Sequence, residues 1–221
     1  MQALSFNTTS AAAFALATLM TILIALLVAL SILGLGPGVL NAPTAGMAFF
    51  QQSWLPGIIA MLYVALGINL AVLLGNLSAV ASTKPTLARL ISMCAVAAGT
   101  LFVGYGMIDL VAQPYAIEAF ALDPAIGSGA YVAIRAVGHA LSAAALAITG
   151  AGILMIGIAS IRRGEWPMLL SWLMIVAGAA YAVSFVVLAL GLIGLLLTPI
   201  WAVWVASLSW ADRPASNRDH G

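Results

Sequence analysis

The chain has 221 residues, 64% of them hydrophobic and only 6% charged, with a formal charge of +1. Soluble domains carry roughly 25% charged residues, so a water-soluble fold is not expected. The weak net charge supplies neither a basic field for nucleic acid nor a polybasic run for anionic lipid; the expected partner is the lipid bilayer, and nucleic acid is not one.

The first ten residues contain no Lys or Arg, and the apolar run 11–33 that follows exceeds the ~7 to 15 residues of a signal-peptide core, which predicts a retained first helix. Three further runs, 55–77, 90–111 and 130–158, are close to the ~20 residues that cross a hydrocarbon core. The stretch 168–208 is apolar throughout. As one helix it would measure about 60 Å, twice the core thickness, so it is expected to fold back near 187–191 into spans 168–187 and 191–208. The stretches between runs are too short for a soluble domain of ~50 residues, and no internal repeat is visible. A single all-α domain over 1–221 is predicted, a polytopic membrane bundle of six transmembrane helices.

Charge placement tests that count, because Lys and Arg in short connections stay on the cytoplasmic side. Lys84 and Arg89 flank the second connection, Arg162 and Arg163 the fourth, and Arg213 and Arg218 lie in the tail, whereas connections one and three (34–54 and 112–129) carry no Lys or Arg. Six spans put all of these on one side, with both termini cytoplasmic; five would move Arg213 and Arg218 across. Trp54, Trp166 and Trp210 fall at predicted span ends, where amphipathic rings anchor at the headgroups. The Ala-rich, Lys-poor composition points to a bacterial cytoplasmic membrane.

Ionisable groups within spans are costly and mark candidate sites. Asp109 lies near the outer end of span three, and Arg135 and His139 in the outer half of span four. At 100° per residue, Tyr131, Arg135, Gly138, Ser142 and Thr149 share one arc of span four with His139 at its edge, and Tyr105 lies one turn from Asp109 on span three. Antiparallel packing would bring Asp109 and Arg135 to similar depth as an ion pair. With Tyr63 and Tyr181 also expected in the outer half, these residues outline a polar, aromatic-lined cavity opening outward, a candidate ligand site. A plainer reading stands beside it. Arg135, about 7 Å below the predicted helix start, can snorkel to the headgroups, and the tyrosines can be interfacial belt residues. His139 can be satisfied by a neighbouring Tyr or backbone carbonyl instead of serving as ligand or proton relay. Asn69 and Asn76 can act as interhelical glue, and Cys94 as an inert core residue.

Several chemistries lack their residues. Paired-histidine haem ligation needs two histidines in the spans, where only His139 stands; a Schiff base needs an intramembrane lysine, and the sole lysine, Lys84, is in a connection. A lone cysteine supports neither thiol redox chemistry nor a disulfide, and no metal or phosphate-binding motif is present. No cofactor or metal is expected, and an enzyme is the minority reading.

The segment Arg162, Arg163, Gly164, Glu165, Trp166, Pro167 running into Leu170, Ser171 and Trp172, the run Ala202, Val203, Trp204, and Arg135 early in span four together resemble a bacterial six-helix integral membrane family of the domain of unknown function 4386 type. That family often carries Arg-x-x-Glu in span three, where this chain has Arg89 and Ser92, and a Glu before the late Trp of span six, where it has Thr198, Pro199 and Ile200. The resemblance implies a fold and no mechanism. Two functional classes follow from the residues: a non-enzymatic membrane protein that binds a small lipophilic or weakly polar ligand or a membrane partner, and a small-molecule transporter or permease subunit lined by Asp109, Arg135 and His139.

Overall fold

Backbone groups in hydrocarbon have no water to bond, so a chain this apolar satisfies them within helices. The computed structural model describes residues 2–35, 40–81, 84–164 and 166–211, and it is an all-α helical bundle with no strand among them. In chain order the helices are α1 (Gln2–Ile32), α2 (Pro43–Gln52), α3 (Leu55–Ala81), α4 (Pro85–Met107), a π-helical segment (Ile108–Ala112), α5 (Gln113–Leu122), α6 (Pro124–Arg163), α7 (Met168–Val183) and α8 (Leu188–Ala211). Five helical stretches are long and apolar enough to cross a membrane, and α7 is a shorter apolar helix. The protein is a multi-pass membrane protein.

Six helices pack as a closed ring in the order α1, α3, α4, α6, α7, α8 and back to α1, flattened by contact of α3 with α6 across it. The interior is filled by Leu16, Leu70, Leu73, Leu74, Ile153, Ile156, Met174 and Trp201, each no more than 1% exposed. Two seams are closed by glycine: a Cβ on Gly67 or Gly99 would strike the other's carbonyl oxygen, and one on Gly150 or Gly178 likewise. Backbones that approach this closely gain dispersion contacts where helix association has no hydrophobic drive.

Polar bonds fix which ends lie together. The Ser10 hydroxyl donates to the Ala206 carbonyl (3.1 Å) and the Asn76 amide to the Thr8 hydroxyl (3.4 Å), so α1 starts where α3 and α8 end. Lys84, Arg89, Arg162 and Arg163 therefore gather at one end of the bundle, and Asp109, Glu118 and Asp123 lie toward the other. Arg213 and Arg218, also expected at the basic end, lie outside the described residues, as do Pro37 of the first connection and Glu165. Trp54 and Trp210 are exposed at helix ends, while Trp166 packs against the core.

Three expected boundaries are corrected. The third connection, 112–129, is not a loop: the helix of span three continues through the π-helical segment into α5, and α6 begins at Pro124. Only Asp123 interrupts the helices, its carboxylate accepting from the Ala125 and Ile126 N–H groups (2.9 and 3.3 Å), with Pro124 preset in the first turn. The first connection contains α2. The fold-back expected near 187–191 lies at Ser184–Val187, where the Ser184 hydroxyl donates to the Tyr181 carbonyl (2.7 Å). Gly191 instead sits one turn inside α8, against Ser184.

Candidate polar site at the acidic end

Helical continuity through residue 122 is what builds the site, because Tyr105, Asp109 and Gln113 recur every four residues and face α6 together. The π-helical segment containing Asp109 accommodates one residue more than a regular turn, and such insertions frequently sit at functional positions. Arg135 Nη1 donates to both Asp109 oxygens (3.2 and 3.4 Å), and Gln113 Nε2 donates to Oδ1 (3.5 Å). The Tyr105 side chain lies close to the guanidinium. The expected ion pair is present, with the Arg135 and Asp109 side chains 14% and 7% exposed, so it is formed inside the protein.

Aromatic rings wall the pair. Tyr63 meets Tyr105 edge-on at 4.6 Å between centroids and stacks on Phe102 at 6.3 Å. The Tyr105 ring lies over Gly138, where a Cβ would approach to 3.2 Å. Tyr131, fully buried, donates its hydroxyl to the Leu40 carbonyl (2.6 Å) over the bare Cα of Gly46, and with Met47 and Ala116 forms a small second core under α2. His139 is exposed and bonds Asn41 Oδ1 through Nε2 (3.1 Å). Asn41 and Leu40, just before α2, are thus pinned to α6 at two points.

Six of the seven residues anticipated for the site, Tyr63, Tyr105, Asp109, Tyr131, Arg135 and His139, gather at this end. Tyr181 does not. Its Cβ lies against Gly150, fifteen residues or about 22 Å along α6 from Arg135, and its hydroxyl pairs with Thr198 Oγ1 (2.9 Å). The group is also closed over by α2 and its own rings, not an open outward vestibule. Gln113 and Asn41 were not anticipated. The four-residue spacing from Asp109 marks Gln113 once the helix is known to continue; nothing in the sequence marks Asn41.

Two polar atoms of the group, Gln113 Oε1 and Arg135 Nε, are buried without a protein partner among the described residues, and Gln113 is 0% exposed. The paired charges compensate each other, leaving one neutral acceptor and one donor to be met. Toward the basic end the floor is apolar: Phe102, Leu66 and Ala145 are at most 2% exposed. No group of His, Cys, Asp and Glu among the described residues could hold a metal ion. Two apolar grooves of about 540 and 470 Å³ lie elsewhere, along the outer seam of α1 and α8.

No family model matches the chain, and neither a curated protein nor a solved structure matches it.

Proposed function

We propose that this chain is a non-enzymatic protein of a bacterial cytoplasmic membrane, of the six-helix type it resembles, with both termini cytoplasmic, and that it binds a small, weakly polar ligand between Arg135 and Gln113 beneath α2. The observation that carries the reading is the pair of buried, unpartnered atoms beside a compensated ion pair. Burying such a donor and acceptor costs free energy unless each finds a partner. A neutral molecule with a carbonyl or ether oxygen for Arg135 Nε and a hydroxyl or amide N–H for Gln113 Oε1 meets both, while an anion or cation would unbalance Asp109 and Arg135. Entry requires α2 to lift, parting Tyr131 from Leu40 and His139 from Asn41.

Gathering of Lys84, Arg89, Arg162 and Arg163 at one end favours the cytoplasmic assignment of that end. A transport route is disfavoured by the Phe102, Leu66 and Ala145 floor.

The test is a thermal-shift screen of the purified protein against neutral small amphiphiles, since a molecule that binds only the native state raises the unfolding temperature. The expected result is a shift that Gln113→Leu and Arg135→Met abolish. A screen without any shift, or a shift both variants retain, overturns the proposal.

A further inference from the structure

The two grooves on the outer seam of α1 and α8 lie end to end without joining. One is lined by residues 10–15 and 203–210, the other by 24–32 and 192–196, so 16–23 and 197–202 line neither. Ser10 to Ile32 measures about 33 Å along α1, close to the ~30 Å of a hydrocarbon core, so each groove faces one leaflet. In the first, Phe14 and Trp210 stand exposed beside Ala11, Ala15 and Ala206, whose short side chains leave the space. In the second, Ser31 leaves it among Val28, Ile32, Leu192 and Leu196.

What fills them is set by chemistry and by length. Every hydroxyl lining the grooves already donates to a backbone carbonyl: Ser10 to Ala206 (3.1 Å), Ser207 to Trp204 (2.7 Å) and Ser31 to Leu27 (2.8 Å). None has a proton left for a polar ligand. Between the grooves, the Thr18 and Thr21 hydroxyls are likewise turned back to Phe14 and Ala17 (3.0 and 2.8 Å), so that stretch also presents hydrocarbon. A partner's transmembrane helix, a cylinder about 10 Å across, needs one unbroken groove along the seam. Two separate grooves, each half the seam, match chains that enter from opposite faces and end near the midplane. At about 30 Å³ for each group the size of a water or a methylene, the volumes of about 540 and 470 Å³ hold roughly 16 to 18 such groups apiece, the carbon count of one common acyl chain. Left empty, the lining atoms would forfeit their dispersion contacts on that side.

We infer that the α1–α8 seam binds two phospholipid acyl chains, one from each leaflet, at a site separate from the Arg135 and Gln113 pair.

The experiment is photolabelling of the full chain in phosphatidylcholine vesicles containing a phosphatidylcholine with a diazirine on one acyl chain, the labelled residues being quantified by peptide mass spectrometry. Val203 and Val28 line the grooves, Val96 and Val111 lie on other faces, and all four are between 49% and 63% exposed. The expected result is at least twice the label at Val203 over Val96 and at Val28 over Val111. Ser207→Phe removes the excess at Val203 alone and Ser31→Phe that at Val28 alone, so the untouched groove reports that each variant has folded. Ala11→Phe and Ser31→Leu replace either one that does not fold. Equal label at groove and comparison valines overturns the inference, as does an excess that both substitutions leave in place. Less label in the grooves than at the comparison valines marks a second copy seated on the seam, and overturns it too.

Discussion

One helix, α6, makes two unlike seams. Against α7 it has lost side chains: Gly150 and Gly178 let the backbones touch, and the contact is held by shape. Against α4 at the acidic end it has gained them: Arg135 reaches Asp109, and Tyr105 fills the space Gly138 leaves. The first seam costs little to desolvate and has nothing with which to address a ligand. The second buries charge, which roughly breaks even as stability, and exposes donors and acceptors to whatever enters. In a protein this apolar the difference separates packing from candidate function.

Of the two seams, the charged one is the more sensitive to substitution. Arg135→Ala leaves the Asp109 carboxylate buried and unpaired, and is expected to lower unfolding stability by about 3 kcal/mol in detergent micelles, whereas Asp109→Leu combined with Arg135→Met recovers most of it. Additive losses in the corresponding double-mutant cycle would mean that the pair does not couple. Gly178→Val tests the other seam, forcing α6 and α7 apart at a cost of about 2 kcal/mol. Because the two positions share no partner, this loss is expected to add to that of Arg135→Ala; strong coupling between them would erase the distinction. Tyr131→Phe removes only the hydroxyl that holds Leu40, an expected loss of about 1 kcal/mol by the same unfolding assay. His139→Ala, at an exposed bond, should change stability by no more than about 0.5 kcal/mol while speeding ligand association, which stopped-flow binding would register; an unchanged rate argues against α2 as the cover.

Much of this architecture was legible in residue order. Long apolar runs and one-sided cations point to six helices because a bilayer leaves the backbone few alternatives, and the arc containing Tyr131, Arg135 and Thr149 does face inward. What escaped was decided by local geometry that hydropathy does not encode. Residues 112–129 read as a connection because they are less apolar, yet the Asp123 cap and Pro124 are a helix start that polarity conceals. The π-helical insertion at Asp109 has no compositional mark, so Gln113 was missed. Tyr181 was misplaced in depth because the turn between α7 and α8 contains no Gly, Pro or Asn to locate it; the fold-back comes at Ser184, sooner than span length alone implies.

That early fold-back has a consequence for the surrounding lipid. A 16-residue α7 spans about 24 Å, some 6 Å less than the usual hydrocarbon thickness, while α6 beside it is 40 residues long. The tip is not dressed for water: Phe185 and Val186 are 67% and 69% exposed. On this flank the leaflet at the acidic end must either dip toward the tip or cover it with acyl chains, and on the opposite flank it need do neither. The protein thus presents unequal hydrophobic heights around its circumference, which makes its tilt and its preference among thinner and thicker bilayers a property of one short hairpin.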